Sequence, residues 1–225
     1  MTAAVATKEV FLGSQPVPVW PQGQALKTLD HPTIMVTRFA DTALYHPRLS
    51  ACIQERAARE STGKRYFRGA GGTKTYHVDQ WNCSEADLIH ARALALFRRA
   101  LNCTEAVVDL SWANVYRSGE YCMPHSHLRS TASIVYFLES GDEDADDPLS
   151  GRFYFADPRL PGCCKEEADK MTTPTLPDTT PGTMIIFPSQ VIHCVNPYHG
   201  ERPRITMSWN VSQVAVPGVA LPSGM

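Results

Sequence analysis

Aliphatic and helix-forming residues dominate the chain up to about residue 101, and Pro, Gly, aromatic and β-branched residues dominate afterwards. Pro47–Glu60 reads as a helix. Pro47 falls in the first turn, where a missing N–H is tolerated, and Leu49, Ile53 and Ala57 recur at helical spacing. A second helix is expected to start at Ser84, capping with Asp87 three residues on, and to bury Leu94, Phe97 and Leu101. Arg98 and Arg99 flank that stripe as a solvated face near the negative helix end. The first 30 residues, with Pro16, Pro18 and Pro21, read as an extended entry with one or two short strands, and Ile34–Arg38 as a further strand. Ser61–Asn82, carrying Gly69, Gly71 and Gly72, reads as loop.

From Ala106 onward the pattern becomes short strands: Val107–Tyr116, Ser133–Leu138, Gly151–Phe155, Thr183–Phe187, Ile192–Val195 and Ile205–Val211. Two polar segments interrupt them. Glu139–Asp147 holds six acids in nine residues and reads as a solvated turn, while Gly162–Gly182 is long enough to serve as a lid or a surface loop. Many short strands with turn-rich links predict a sandwich or jelly roll rather than a parallel α/β sheet. The expected fold is therefore mainly β with flanking helices (α+β). Residues 1–104 would supply strands and buttressing helices, 105–213 the β core and 214–225 a tail.

Composition narrows the function. At 43% hydrophobic and 20% charged, the 225 residues can bury a full core. A net charge of -2 argues against a dedicated nucleic-acid or anionic-membrane binder. No apolar run reaches the roughly 18 residues of a membrane span. No basic stretch followed by an apolar core is visible at the N-terminus, and the seven cysteines form no Cys-x-x-Cys pair. The expectation is a cytoplasmic protein with reduced thiols.

Eight histidines are present, and most read as surface or hydrogen-bonded residues. His125 and His127 differ: on an extended chain, positions i and i+2 face the same way, so both imidazoles can converge on one cation. His193 lies on a separate, apolar strand-like segment and can add a third ligand while other coordination positions stay open. Spacing alone leaves open a pair of hydrogen-bonded histidines at the core edge. Arg204 follows His193 by eleven residues, and with Thr206 on the same strand face it offers a guanidinium and a hydroxyl to a carboxylate. An internal ion pair for Arg204 is the alternative.

These pieces resemble a known family. The ligand pair His125-Ser-His127 is followed by the strand Ser133–Leu138 and by Gly151-Arg-Phe-Tyr-Phe-Ala-Asp-Pro-Arg159. The second block runs from Phe187-Pro-Ser-Gln-Val-Ile-His193 through Asn-Pro-Tyr-His-Gly200 to Arg204-Ile-Thr206-Met-Ser-Trp-Asn210. Over Trp112–Val211, a little under half of the chain, this is similar to the iron(II)- and 2-oxoglutarate-dependent oxygenases, nearest to a bacterial group with a His-x-His pair. The resemblance implies a double-stranded β-helix (jelly roll) core. It also implies Fe(II) held by His125, His127 and His193, with 2-oxoglutarate and O2 as cosubstrates. Arg204, helped by Thr206, would grip the far carboxylate. Asn114 is a candidate donor to the near carboxylate, and Tyr136 a candidate for the far end. The expected substrate is a small molecule or a peptide side chain.

One departure matters. The usual carboxylate of the first motif is replaced by His127, so the ligand set would be three neutral imidazoles. That leaves the ferrous centre one unit more positive and more attractive to anions. Alternatively His127 stands behind the metal and a carboxylate arrives from elsewhere. Gly119-x5-His125-x-His127 also resembles the first motif of cupins, whose three-histidine dioxygenases use no 2-oxo acid. The Glu of that motif is missing, with Thr131 and Ala132 in its region, and a cupin gives Arg204 no role. A third possibility is a non-enzymatic jelly-roll module that binds a ligand.

Overall fold

The structure is a computed structural model that describes residues 8–28, 34–59, 71–127, 129–157 and 175–213. A hairpin of β1 (Glu9–Leu12) and β2 (Gln15–Pro18) is followed by β3 (Lys27–Thr28), β4 (Met35–Arg38), α1 (His46–Arg59), β5 (Thr73–Tyr76) and α2 (Ser84–Ala100). The β core comprises β6 (Val107–Tyr116), β7 (Cys122–His125), β8 (Ala132–Glu139) and β9 (Phe153–Phe155), then β10 (Thr183–Pro188), β11 (His193–Val195) and β12 (Arg204–Ser212). A seven-stranded sheet in the order β3-β4-β10-β8-β12-β6-β5 and a three-stranded sheet in the order β7-β11-β9 are both antiparallel throughout. Two antiparallel sheets with long crossovers between them make the double-stranded β-helix.

Period-two alternation sorts the large sheet into two faces. Ala113 and Val115 of β6, Ile134, Tyr136 and Leu138 of β8, Met184 and Ile186 of β10, and Ile205, Met207 and Trp209 of β12 share one apolar cluster with α1 and α2. The intervening residues turn to the other face. There Val135, Phe137, Ile185 and Phe187 meet Phe153, Phe155 and Val195 of the small sheet. On β6 and β12 this inner face is largely polar, with Asn114, Arg204, Thr206 and Ser208 buried.

Three expectations need correction. α2 buries Leu88, Ile89, Ala93, Leu96 and Phe97, whereas Leu94 is only partly buried and Leu101 is exposed. The buried face includes Arg92, whose charge interrupts the apolar series. Its side chain is fully buried and forks onto Asp41 (2.9 and 2.5 Å), with further bonds to Tyr45 Oη and the carbonyls of Val19 and Pro18. Cys83, not Ser84, holds the cap position, and its carbonyl accepts the Asp87 N–H. The segment expected as loop contains β5, which pairs with β6. Residues 61–70, 162–174 and 214–225, together with His31, lie outside the described residues. No helix among the described residues is long and apolar enough to cross a membrane.

Phe97 is wholly buried between α2 and the sheet. Phe97→Ala is expected to cost about 3–5 kcal/mol, read from the denaturant midpoint. His46 Nε2 lies 2.6 Å from Tyr136 Oη, and burial pushes the imidazole pKa from 6.5 down to about 4. The unfolded chain therefore takes up a proton that the fold refuses between those values, and stability falls as pH drops from 6.5 towards 4. Melting temperatures across that window should fall less steeply for His46→Gln than for the unsubstituted protein.

Candidate metal centre

β7 and β11 are adjacent antiparallel strands, and their register sets His125 directly opposite His193. His127 follows the end of β7, its backbone N–H bonded to the Ser189 carbonyl at 2.7 Å. The three rings converge, with centroids 4.2 Å apart for His125–His193, 5.0 Å for His125–His127 and 5.3 Å for His127–His193. One nitrogen from each lies within 4.8 Å of the others. This is the only such cluster of His, Cys, Asp or Glu among the described residues, and no carboxylate joins it.

The chemistry of the donors suits a cation. His125 Nδ1 lies 2.8 Å from the Met123 carbonyl and His193 Nδ1 lies 2.9 Å from the Val191 carbonyl. A carbonyl can only accept, so each Nδ1 carries the proton and each Nε2 keeps its lone pair. His193 packs between Phe153 and Phe187, with centroids 5.7 and 4.8 Å away. Burial, aided by the neighbouring imidazoles, holds His193 at about 3 and His127 at about 4, so both rings are neutral at ordinary pH, the form that could ligate a metal. Burial also works against a charged His125, but the adjacent Cys122 thiol lifts its pKa above the ordinary value. Cys194, next to His193, turns away towards the Tyr154 carbonyl. The acidic stretch leaves β8 as irregular chain, with Asp142 accepting from the backbone N–H groups of Glu201 and Arg202 and from the Arg202 side chain.

Beside the triad, the inner face of the large sheet floors a narrow cavity of about 40 Å³. Cross-strand register arranges its floor in rows. Lys74, Asn114, Thr206 and Phe137 are successive neighbours across β5, β6, β12 and β8. Tyr116 is paired with Arg204 in the next row. Asn114 accepts from Trp112 Nε1 at 3.1 Å and donates to Thr206 Oγ1 and Ser208 Oγ at 3.3 and 3.4 Å. Arg204 is 4% exposed, and its Nη1 is buried with no hydrogen-bond partner. Its guanidinium sits over the rings of Tyr116 (5.3 Å) and Phe137 (5.9 Å), and burial depresses its pKa. Those ring contacts offset only part of the cost of burying a charge. Gly151, at φ +62°, leaves room for the Arg204 stem, since a Cβ there would stand 3.1 Å from its Cδ.

The structure thus brings Arg204, Thr206 and Asn114 to one cavity with His125 and His193. Tyr136 is not there. It occupies the opposite face of β8, where its hydroxyl meets Tyr45 Oη at 3.1 Å and His46 Nε2. The parity of β8 decides this, because Val135 and Phe137 face inward. Lys74, Tyr116, Trp112 and Ser208 also line the cavity without having been assigned a role from the sequence. Tyr116 was legible from its shared face with Asn114, whereas Lys74 lay in a segment with no apolar alternation. A more open hollow beside the β1–β2 hairpin, lined by Gln15, Gln24, Arg38 and Asp41 among others, contains none of the site residues.

Residues 110–210 match the family model described as "Putative 2OG-Fe(II) oxygenase". The match lies in the β core and covers a little under half of the chain. The match and the shared fold support an enzyme of that class, which uses Fe(II), 2-oxoglutarate and O2. Among solved structures, a Pseudomonas putida prolyl-4-hydroxylase is 18% identical, with a TM-score of 0.56 over 85% of this chain and 95% of that one. AviO1 from Streptomyces viridochromogenes Tue57 is 14% identical, with a TM-score of 0.56 over 82% and 92% of the respective chains. The 2-oxoglutarate-dependent epimerase SnoN from nogalamycin biosynthesis is 12% identical, with a TM-score of 0.57 over 84% and 86%. At such identities the likeness is one of fold. No curated protein sequence matches the chain.

His193→Ala is expected to weaken Co(II) binding by more than about 100-fold, since loss of even an outer hydrogen-bond partner of a ligand costs on the order of 10–100-fold. Titration of the metal-free oxygenase followed by Co(II) visible absorption checks this; unchanged affinity would remove His193 from the ligand set.

Proposed function

We propose that this oxygenase oxidises a small molecule or a peptide side chain, with His125, His127 and His193 holding Fe(II) and Arg204 anchoring 2-oxoglutarate. The observation that carries this is the unpaired, buried Arg204 guanidinium in the cavity that also contains His125 and His193. A diacid with a keto group beside one carboxylate can engage a metal at that end and a guanidinium at the other. Thr206, one row from Arg204, adds a hydroxyl for the far carboxylate, and Asn114 can release its amide to the near one. Val135, Phe153 and Val195 give the remaining walls an apolar surface that limits water. When bound, iron supplies the oxygen chemistry that converts 2-oxoglutarate to succinate and carbon dioxide while a substrate is oxidised. The five described cysteines are all free, which supports placing the enzyme in a reducing compartment, the cytoplasm.

The prolyl-4-hydroxylase and the nogalamycin epimerase act in different chemical settings on one architecture. The fold therefore leaves both a peptide and a small molecule within reach. The cupin alternative predicts nothing for Arg204, whereas a buried cation without a partner requires an anion. Anaerobic addition of Fe(II) and 2-oxoglutarate should give a visible charge-transfer band that is absent in His193→Ala. Arg204→Met should raise the half-saturating 2-oxoglutarate concentration at least about 30-fold, because truncating a buried charge partner costs about 2–5 kcal/mol. A band indifferent to Arg204 would favour the three-histidine dioxygenase, and no ferrous binding would leave a ligand-binding module.

A further inference from the structure

We propose that Lys74 is the recognition point for an anionic group on the primary substrate, so that the enzyme acts on carboxylate-bearing molecules. This rests on the oxygenase function proposed above. Lys74 lies within the edge strand β5, in register with Asn114, and continues the row that runs through Asn114 to Thr206. It lines the same cavity as His125, His193 and Arg204, with its Nζ 5.6 Å from the centre of the Trp112 ring. The side chain is half-buried, and burial pulls the ammonium pKa below its ordinary value.

Charge balance leads from there to an anion. The cavity lining includes two fixed cations, Lys74 and Arg204, and no Asp or Glu. The ligand triad brings no negative charge either, because all three members are imidazoles. A ferrous dication adds to this excess. One 2-oxoglutarate dianion has its near carboxylate committed to the metal and its far carboxylate to Arg204. Lys74 is then the cation left over. Poorly solvated charge of one sign favours a ligand of the opposite sign.

Position identifies which ligand. The Trp112 ring that Lys74 Nζ approaches lies 5.8 Å from the His127 ring, which puts the ammonium at the metal end of the cavity. Arg204 lies in the next row, against Tyr116. A substrate that is to be oxidised must enter at the metal end. A carboxylate on that substrate would meet Lys74 and orient the molecule against the metal. The contact with Trp112 holds the ammonium in place but supplies no counter-charge.

Acetate, with neutral acetamide as its matched control, tests this on the full chain. Under anaerobic Fe(II) and saturating 2-oxoglutarate, acetate should perturb the charge-transfer band saturably while acetamide does not. Lys74→Gln should raise the half-saturating acetate concentration at least about tenfold, in line with a charge-assisted hydrogen bond. Lys74→Arg should keep the response, and the half-saturating 2-oxoglutarate concentration should stay within about twofold in both variants. Equal effects of acetate and acetamide, or an acetate response unchanged in Lys74→Gln, would overturn the proposal. So would weakened 2-oxoglutarate binding in Lys74→Gln, which would assign Lys74 to the cosubstrate. The acetate-induced rise in melting temperature of the metal-free protein, compared among the three forms, is read in parallel. If no band forms in the unsubstituted enzyme, the oxygenase function fails, and Lys74 is judged on melting alone: a rise no smaller in Lys74→Gln than in the unsubstituted protein overturns it.

Discussion

The register between β6 and β12 is the constraint on which the rest of the molecule depends. Along β12 each residue is committed to one of two environments. Ile205, Met207, Trp209 and Val211 meet the helices, while Arg204, Thr206 and Ser208 meet the cavity. A slip of one position would exchange the sets, burying a guanidinium under α2 and opening the cavity to aliphatic side chains. The apolar half of the alternation is worth far more than the polar half, so burial against the helices holds the register. The inner face is carried along with it. The scaffold can therefore tolerate on that face a row of polar groups that contribute nothing to the core.

The candidate metal centre stands on different ground. β7, β9 and β11 are short, and their apolar support comes chiefly from Phe153, Phe155 and Phe187. What fixes His125 and His193 is their cross-strand pairing, the pairing of His193 with Phe155, the rings of Phe153 and Phe187 around His193, and two bonds from Nδ1 to backbone carbonyls. Because the backbone, not a side chain, sets the tautomer, the arrangement brings no carboxylate near the ligands. Outer partners of metal-bound histidines are often carboxylates, which would lend the centre negative charge. Here the three candidate ligands are imidazoles, and Nδ1 of His125 and of His193 meets a backbone carbonyl, with no carboxylate in the set. Electroneutrality then has to come from what binds.

Much of this was legible in the sequence. Long strands with alternating character, such as β6 and β8, announced themselves because both of their faces are selected. The Arg204–Thr206 pair shares one face of β12 for the same reason, since a strand leaves a side chain only two directions, whereas His127 lies past the end of β7 and meets His125 there. The failures share a cause as well. Tyr136 was assigned by chemistry without its parity, and parity sends it to the helix side. Arg92 hid the buried face of α2 because a charged residue seldom belongs to a core. β5 reads Thr-Lys-Thr-Tyr, whose pairing with β6 depends on a partner far away in the chain. Lys74 was missed along with its strand.

Arg92 and Arg204 show how the same residue type separates scaffold from site. Both guanidiniums are buried within the same domain, on opposite sides of one sheet. Arg92 has a bidentate carboxylate, a phenol and two carbonyls, which together satisfy a planar donor with five N–H groups. Breaking that set would leave a charge stranded in the core, so it acts as a clamp joining α2 to the chain before α1. Arg204 has two aromatic rings and an unsatisfied Nη1. A fold that can complete one buried arginine so fully has no physical need to leave the other incomplete. The partner we propose for Arg204, a carboxylate of the cosubstrate, would arrive with the reaction and leave with its product.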